Sequence, residues 1–418
     1  MKKKCLVVSG MFVPVNEPMT LIPYKHLRLL DYEYDVMNLI GDTDPDLEEQ
    51  LKYDKFYKKF NIIDVGNYND ILFSIKNINL IKCLYNMNKY VNDSIRKFNE
   101  HNYEILYTSS FPAYCHRVGE KLKQNRQDFL WIANFTDPIN NSPYKFDSET
   151  YKNYSLLKKI AFYAYIYFFV NNNDEIIAFE NADILIFICE EQRDFMIKQY
   201  LSSNSKYDKE YLENKSIIVP LCYIEEFSEY NIEPITQEDN IIKLSHFGRI
   251  YGLRKLTNFI LAVREIIDQC PEFANKFKIV QYGSFKKQDI YLISDLHLND
   301  YFEINDRIPY KECLKKMSSS DVVLIFDTIL DDEKLQPYLP SKILEYSLLQ
   351  KNVLAIANSN SPTYRLFQES NALCAKYEVD DIKNKLIKIL NGYESKVNYV
   401  HDNPSAIIEL SKKLNDIA

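Results

Sequence analysis

Glycine is scarce in this chain, 8 residues of 418. Few loops can therefore bring bare backbone close to a ligand, and the glycines that flank apolar runs carry the more weight. Long apolar runs are missing too. None is long enough to span a bilayer; Leu156–Val170 comes closest, and it carries Lys158 and Lys159. Eight cysteines are scattered with no Cys-x-x-Cys and no paired Cys/His spacing. That excludes a recognisable zinc site and fits reduced thiols in the cytoplasm. The formal charge of −8 is dispersed along the chain, which excludes the basic stripe of a nucleic-acid surface. No internal repeat is evident. Met1-Lys2-Lys3-Lys4 runs straight into a strand-like segment, without the apolar stretch and cleavage site of a secretory signal. An Asp-x-Asp triplet occurs only in a loop context, Asp42-Thr43-Asp44, far in sequence from the motifs below, so no metal ligands are expected.

What is present concentrates in two segments. Leu339-Pro340-Ser341-Lys342-Ile343-Leu344-Glu345-Tyr346 reads as the entry to a short helix, with Pro340 placed where no backbone N–H is missed. Lys342 and Glu345 stand at i and i+3 and project from one face of the first turn, while Leu344 and Leu348 anchor another. A cation, a helix N-terminus that favours phosphate and a carboxylate able to accept two hydrogen bonds from a ribose diol together suit a nucleoside diphosphate. A solvated Lys–Glu surface pair is the plainer alternative.

The second segment starts with the apolar run Ile241–Leu244 and continues Ser245-His246-Phe247-Gly248-Arg249-Ile250-Tyr251-Gly252-Leu253-Arg254-Lys255. Leu256, Phe259, Ile260, Val263 and Ile267 then recur at helical spacing. The order is strand, glycine-bounded loop, helix. Gly248 and Gly252 permit close backbone approach. Arg249 at the strand end and Lys255 in the first helical turn can both point at one anion. A βα turn with scattered surface bases is the alternative, and His246 reads as structural.

In this order and about ninety residues apart, the two segments resemble the retaining glycosyltransferases of family 4, which have the GT-B fold. The resemblance implies that Arg249 and Lys255 grip the donor diphosphate. It implies too that Glu345 binds the donor ribose, and that Gly248, Gly283, Ser341 and Lys342 line the donor site. The Pro-Ser-Lys variant is similar to bacterial polysaccharide and O-antigen members. Two departures stand out. The family's earlier motif glutamate would fall at Pro337, with the acidic run Asp331-Asp332-Glu333 out of register. A glycine-rich turn near the start is replaced by Val15-Asn16-Glu17-Pro18-Met19-Thr20. By the same resemblance Asn16 and Asp137 face the acceptor, and His116, which follows Ser109-Ser110-Phe111-Pro112, has a catalytic role. Each also has an ordinary reading: His116 as a packing or capping residue, Asp137-Pro138 as a turn, Tyr282-Gly283-Ser284 as a strand end.

Further apolar runs alternate with helical periods: Lys3–Ser9, Glu104–Thr108, Phe129–Asn134, Asp183–Cys189 and Ser216–Pro220, then Phe277–Tyr282, Asp321–Phe326 and Val353–Ala357. Short strands separated by helices predict parallel sheets with helices on their faces, and the length predicts two domains. The fold class is α/β, GT-B, with two Rossmann-like doubly wound domains facing across a cleft. Residues 1–220 form the acceptor-side domain and 221–400 the nucleotide-sugar domain; 401–418 form a final helix that crosses back to the first.

The function this implies is transfer of a hexose, with retention, from a UDP- or GDP-linked sugar to a glycan or lipid-linked acceptor in surface polysaccharide synthesis. The nucleotide sugar is a substrate, and no cofactor or metal is called for, because basic groups can hold the leaving diphosphate. The protein is expected in the cytoplasm. Leu156–Val170 reads either as a buried helix or as a peripheral contact with the inner face of the membrane or a lipid-linked acceptor. Two rival readings are a GT-B 2-epimerase and a catalytically silent GT-B subunit that binds a partner transferase. The second is motivated by Pro337 and the poverty of glycine.

Overall fold

The apolar runs become strands, and every strand pairing is parallel. The computed structural model describes residues 3–67, 80–110, 112–139, 142–146, 155–165, 173–204, 206–225, 241–330 and 335–417. The chain divides into two compact units, Met1–Glu226 with His401–Ala418, and Phe227–Val400.

The first unit contains β1 (Lys3–Val8), β2 (Tyr32–Ile40), β3 (Phe60–Asn67), β4 (Ile105–Ser109), β5 (Leu130–Asn134), β6 (Ile184–Phe187) and β7 (Ser216–Ile218). They lie in the order β3-β2-β1-β4-β5-β6-β7. The second unit contains β8 (Ile242–Phe247), β9 (Phe277–Tyr282), β10 (Phe302–Asn305), β11 (Val322–Phe326), β12 (Asn352–Ile356) and β13 (Leu373–Ala375). Their order is β10-β9-β8-β11-β12-β13. Parallel neighbours need crossovers, and here the crossovers are helices that cover the sheets. β4, β6 and β11 are accordingly buried along their whole length. In the second unit the helix Thr257–Gln269 turns Phe259, Ile260, Val263 and Ile266 into a core shared with Leu244, Ile279 and Leu324. In each unit the strand order reverses once, between β1 and β4 and between β8 and β11. A crevice opens there at the carboxyl ends of the strands.

The end of the chain belongs to the first unit. Asn403 accepts from Arg28 Nη1 at 3.1 Å and donates to the Lys25 carbonyl at 2.7 Å. Arg28 is buried and paired with Asp54 at 2.9 Å. Lys413 Nζ donates to the Asn214 carbonyl.

None of the eight cysteines forms a disulfide. The described part of 156–170, the helix Leu156–Tyr165, is not buried: Leu156, Leu157, Ile160 and Tyr163 are exposed. These four side chains are open, which corrects the buried-helix reading at their positions; the side chains of 158, 161, 162 and 165, and residues 166–170, lie outside the described ones.

Candidate functional site

β8 and β11 are the neighbours at which the second sheet reverses, so the chain leaving each passes the crevice between them. Gly248 follows β8 and Gly283 follows β9, with φ of 148° and 126°. A Cβ on Gly283 would stand 2.4 Å from the Gly248 carbonyl oxygen, so Gly283 is required by the approach of two loops. Gln281 Nε2 donates to that same oxygen at 2.6 Å, and Gln281 Oε1 contacts His246 Nδ1 at 2.8 Å. Burial pushes the His246 pKa down to about 3, so a neutral imidazole braces the base of the loop.

Residues 249–255 fold back as a tight loop. Arg254 Nη1 donates to the Arg249 carbonyl at 3.0 Å, Lys286 Nζ to the Gly252 carbonyl at 2.7 Å, and Ile329 N to the Leu253 carbonyl at 3.1 Å. The Tyr251 ring lies 5.6 Å from the Arg249 guanidinium and 5.2 Å from that of Arg254. Arg249 is exposed, while Arg254 and Lys255 are half-buried. Arg254 was absent from the sequence-derived candidates. Its charge acts on His246, Asp327 and Tyr346, and that of Lys342 also acts on His246. Arg254 and Lys342 thus bring positive charge to the same strand end. A backbone bridge between Arg254 and Thr328, beyond β11, holds this part of the loop beside the strand end.

The helix announced by Pro340 runs Lys342–Leu348, with Ser341 at its N-cap making no side-chain cap bond. Lys342 Nζ stands 3.7 Å from Glu345 Oε1 and 5.1 Å from the centre of the Tyr310 ring. Tyr310 donates its hydroxyl to the same Oε1 at 3.2 Å. Glu345 is only 8% exposed, and its Oε2 is buried with no hydrogen-bond partner among the described residues. This is no solvated surface pair. A buried carboxylate oxygen with empty lone pairs is costly, and a hydroxyl donor would relieve it.

Asp327, the residue after β11, accepts on Oδ1 from Thr328 N at 2.7 Å and from Gln336 Nε2 at 2.8 Å. Burial raises its pKa to about 6. Gln336 also donates its backbone N–H to the Asn360 carbonyl and accepts from Tyr338 N. Asn358 holds both the N–H and the carbonyl of Leu330 at 3.0 Å, and Ser361 caps the helix Pro362–Glu369. Pro337 is buried inside this strapped segment. No carboxylate stands at that position, and residues 331–334 lie outside the described ones.

The structure therefore gathers Gly248, Arg249, Lys255, Gly283, Ser341, Lys342 and Glu345 in the second unit. The remaining three candidates lie in the first. Asn16 donates to Asp44 at 3.0 Å, and Asp44 caps the helix Pro45–Tyr53, so the Asp42-Thr43-Asp44 triplet serves a helix end. Asp137 is exposed after β5. His116 opens the helix His116–Lys123, and the ring is buried rather than presented outward. Its Nδ1 is 2.8 Å from the Thr108 hydroxyl, which also accepts from Trp131 Nε1, and the ring packs against Phe135. Burial lowers its pKa to about 3. Phe135, at the exit of β5, packs against the ring, and the buried Nε2 has no hydrogen-bond partner among the described residues. Among the described residues no group of three or more His, Cys, Asp or Glu is arranged to hold a metal ion. A separate hollow of about 440 Å³, lined by Tyr364, Cys374, Lys376, Asp381 and Lys385 among others, shares no residue with the cluster.

Two parallel-sheet Rossmann-like units with covering helices define the GT-B class, and solved GT-B structures match the whole chain. Sucrose-phosphate synthase from Thermosynechococcus elongatus superposes with a TM-score of 0.65 at 13% identity, covering 100% of this chain and 99% of that one. The lipopolysaccharide outer core galactosyltransferase WaaB gives 0.58 at 12% identity, covering 99% and 98%. The trehalose-6-phosphate synthase OtsA gives 0.59 at 12%, covering 98% and 96%. At such identities the likeness establishes the fold alone. No protein-family model matches the sequence, and no curated protein matches it.

Proposed function

We propose that this chain is a nucleotide-sugar-dependent glycosyltransferase that moves a hexose from a UDP- or GDP-linked donor to a glycan or lipid-linked acceptor in surface polysaccharide synthesis. The observation that carries this reading is Glu345. Its buried Oε2 lacks a partner, and it sits beside Lys342 in the same unit as Arg249, Arg254 and Lys255. A ribose diol supplies the missing donors, and the cations hold the diphosphate. As the glycosidic bond breaks, negative charge grows on that diphosphate. Guanidinium and ammonium groups already in place stabilise it without reorganising, so the mechanism is metal-independent. The acceptor proton passes to the departing phosphate, and no protein base is required.

Retention follows from the resemblance to family 4. It is supported by the neighbour trehalose-6-phosphate synthase, which performs glycosyltransfer with retention. The polysaccharide role is supported by WaaG, a glycosyltransferase of lipopolysaccharide biosynthesis with a TM-score of 0.53. The protein works in the cytoplasm, peripherally at the inner face of the membrane, where lipid-linked acceptors are met.

The test is a panel of nucleotide sugars screened by thermal stabilisation, since a bound donor raises stability by mass action. Product analysis follows, with and without EDTA. One donor should stabilise the chain and be turned over in the presence of chelator. Activity lost with EDTA and restored by magnesium or manganese overturns the metal-free mechanism. Donor binding with neither transfer nor hydrolysis favours the silent-subunit reading, for which Pro337 at the place of the missing glutamate is the specific observation.

A further inference from the structure

Glu345 carries its unpartnered oxygen at the end of a rotatable side chain. The terminal torsion of a glutamate is broad and two-fold, so a carboxylate without a tether turns its oxygens easily. Here Oε1 is tethered. The Tyr310 hydroxyl donates to it at 3.2 Å, and Lys342 Nζ stands 3.7 Å from the same atom. Oε2 is left over, buried and without a hydrogen-bond partner among the described residues. The fold places the tether. Tyr310 is the first residue of the helix Tyr310–Ser319, after Pro309 at the N-cap, and Cys313, Leu314 and Met317 bury the following turns. Cβ bonds in a helix tilt towards its start. A long side chain at the first position therefore reaches past the helix end, here to the helix Lys342–Leu348. The ring is engaged as well as the hydroxyl, because Lys342 Nζ lies 5.1 Å from its centre, within the range of a cation–π contact. One half-buried tyrosine thus touches both members of the Lys342–Glu345 pair. Without it, the ammonium could close on either oxygen and occupy the acceptor that a ligand needs.

We infer that Tyr310 is a positioning residue that sets the selectivity of this site for ribonucleotides. Its hydroxyl fixes Oε1 so that Oε2 stays open to a ribose diol. Its ring keeps the Lys342 ammonium to the Oε1 side, with donor hydrogens free for phosphate. Tyr310 acts through these two side chains. The inference rests on the proposed reading of Glu345 as the ribose acceptor, and it adds the group that holds that acceptor in place.

The test is calorimetric titration of the full chain with UDP and GDP, each beside its 2′,3′-dideoxy analogue. The parent should bind at least one of the two ribonucleotides, and bind it at least about tenfold more tightly than the analogue, because Oε2 loses both donors with the diol. Tyr310→Phe removes the hydroxyl and keeps the ring. It should weaken the ribonucleotide about three- to tenfold and leave the analogue nearly unchanged, so the discrimination shrinks by the same factor. Tyr310→Leu removes the ring as well, and should weaken ribonucleotide and analogue alike by a further factor of about three. In a Glu345→Ala background Tyr310→Phe should have no further effect, since nothing is left for the hydroxyl to hold. Unchanged discrimination in Tyr310→Phe, whether both ligands weaken or neither does, overturns the inference and leaves the donor site standing. So does a loss in Tyr310→Phe that persists undiminished in the Glu345→Ala background. A parent that binds neither UDP nor GDP overturns the donor reading, and the inference with it.

Discussion

At the scale of single residues, the site divides by how its geometry is fixed. Lys342 and Glu345 were legible because a helical turn places i and i+3 on one face whatever surrounds them. Arg254 was not, because its place depends on a bridge to Thr328, a residue far away in sequence. The burial of His116 was not legible for a related reason: a strand end locates a residue near the crevice, but Phe135, brought from the exit of β5, packs against its ring. Arg254→Ala, Lys342→Ala and Arg249→Ala should each weaken UDP or GDP binding by about 1.5–3 kcal/mol, the range for hydrogen bonds to charged groups. Lys255→Ala should do the same. Calorimetric titration measures this, and an affinity unchanged from the parent in all four variants would remove the diphosphate from the site. Asp327 offers a test by pH. Burial holds its pKa near about 6, above the unfolded value of about 3.9. Between the two the folded form takes the proton first, so stability falls as pH rises from about 4 to about 6 and stays reduced above. The gap corresponds to about 3 kcal/mol. Asp327→Asn keeps the Oδ1 acceptor and removes the charge. It should raise the melting temperature of the second unit at pH 7.5, and the gain should shrink towards pH 4.5. A gain that is the same at both pH values would show that ionisation is not its source.

Elements were legible where both faces are buried. β4, β5, β6, β9, β11 and β12 are near-continuous apolar runs, because helices cover the sheet on either side, and their ends fell within a residue or two of expectation. β2, β3, β10 and β13 were missed. β2 reads Tyr-Glu-Tyr-Asp-Val-Met-Asn-Leu-Ile and alternates buried with open positions. β3 and β10 are sheet edges with mostly uncovered side chains, and β13 is only three residues long. A strand beside solvent need not be apolar, so its sequence carries little signal. The returning C-terminus makes its own prediction. Asn403 satisfies both Arg28 and the Lys25 carbonyl inside the first unit. Asn403→Ala leaves two buried polar groups without that partner, each worth about 1–3 kcal/mol. The variant should unfold at lower urea with an unchanged slope, while nucleotide binding at the proposed site in the second unit should stay intact. A melting point equal to that of the parent would mean the tail is not held by this contact.

For the whole molecule the buried histidines set the response to acid, and they divide unequally between the units. His26 and His116 lie in the first and His246 in the second, each with its pKa lowered to about 3 by burial. A lowered histidine pKa means the unfolded chain takes up the proton first. The stability these groups contribute is therefore complete above about pH 6.5 and drains away as pH falls towards about 3. The slope is about 1.4 kcal/mol per pH unit for each histidine. In the first unit the two histidines act together. Asp35 and Asp54 reinforce them: burial opposes their ionisation, but hydrogen bonds, from Tyr103 and Asn61 in one and from Arg28 and Tyr24 in the other, outweigh it and lower the pKa. Asp174, raised by burial beside Arg117, and Glu120, raised by burial and by the nearby Asp174, work the other way there. In the second unit the single buried histidine is countered by Asp327, whose protonation in the same range stabilises the fold. Scanning calorimetry at pH 7 and pH 5 should therefore show the transition of the first unit moving down further than that of the second. His26→Gln should reduce that movement by removing one titrating group, with Gln able to keep a bond to the Tyr107 hydroxyl that His26 now contacts at 2.9 Å. If the two transitions move together, or if the second moves further, the histidines are not what makes this fold sensitive to acid.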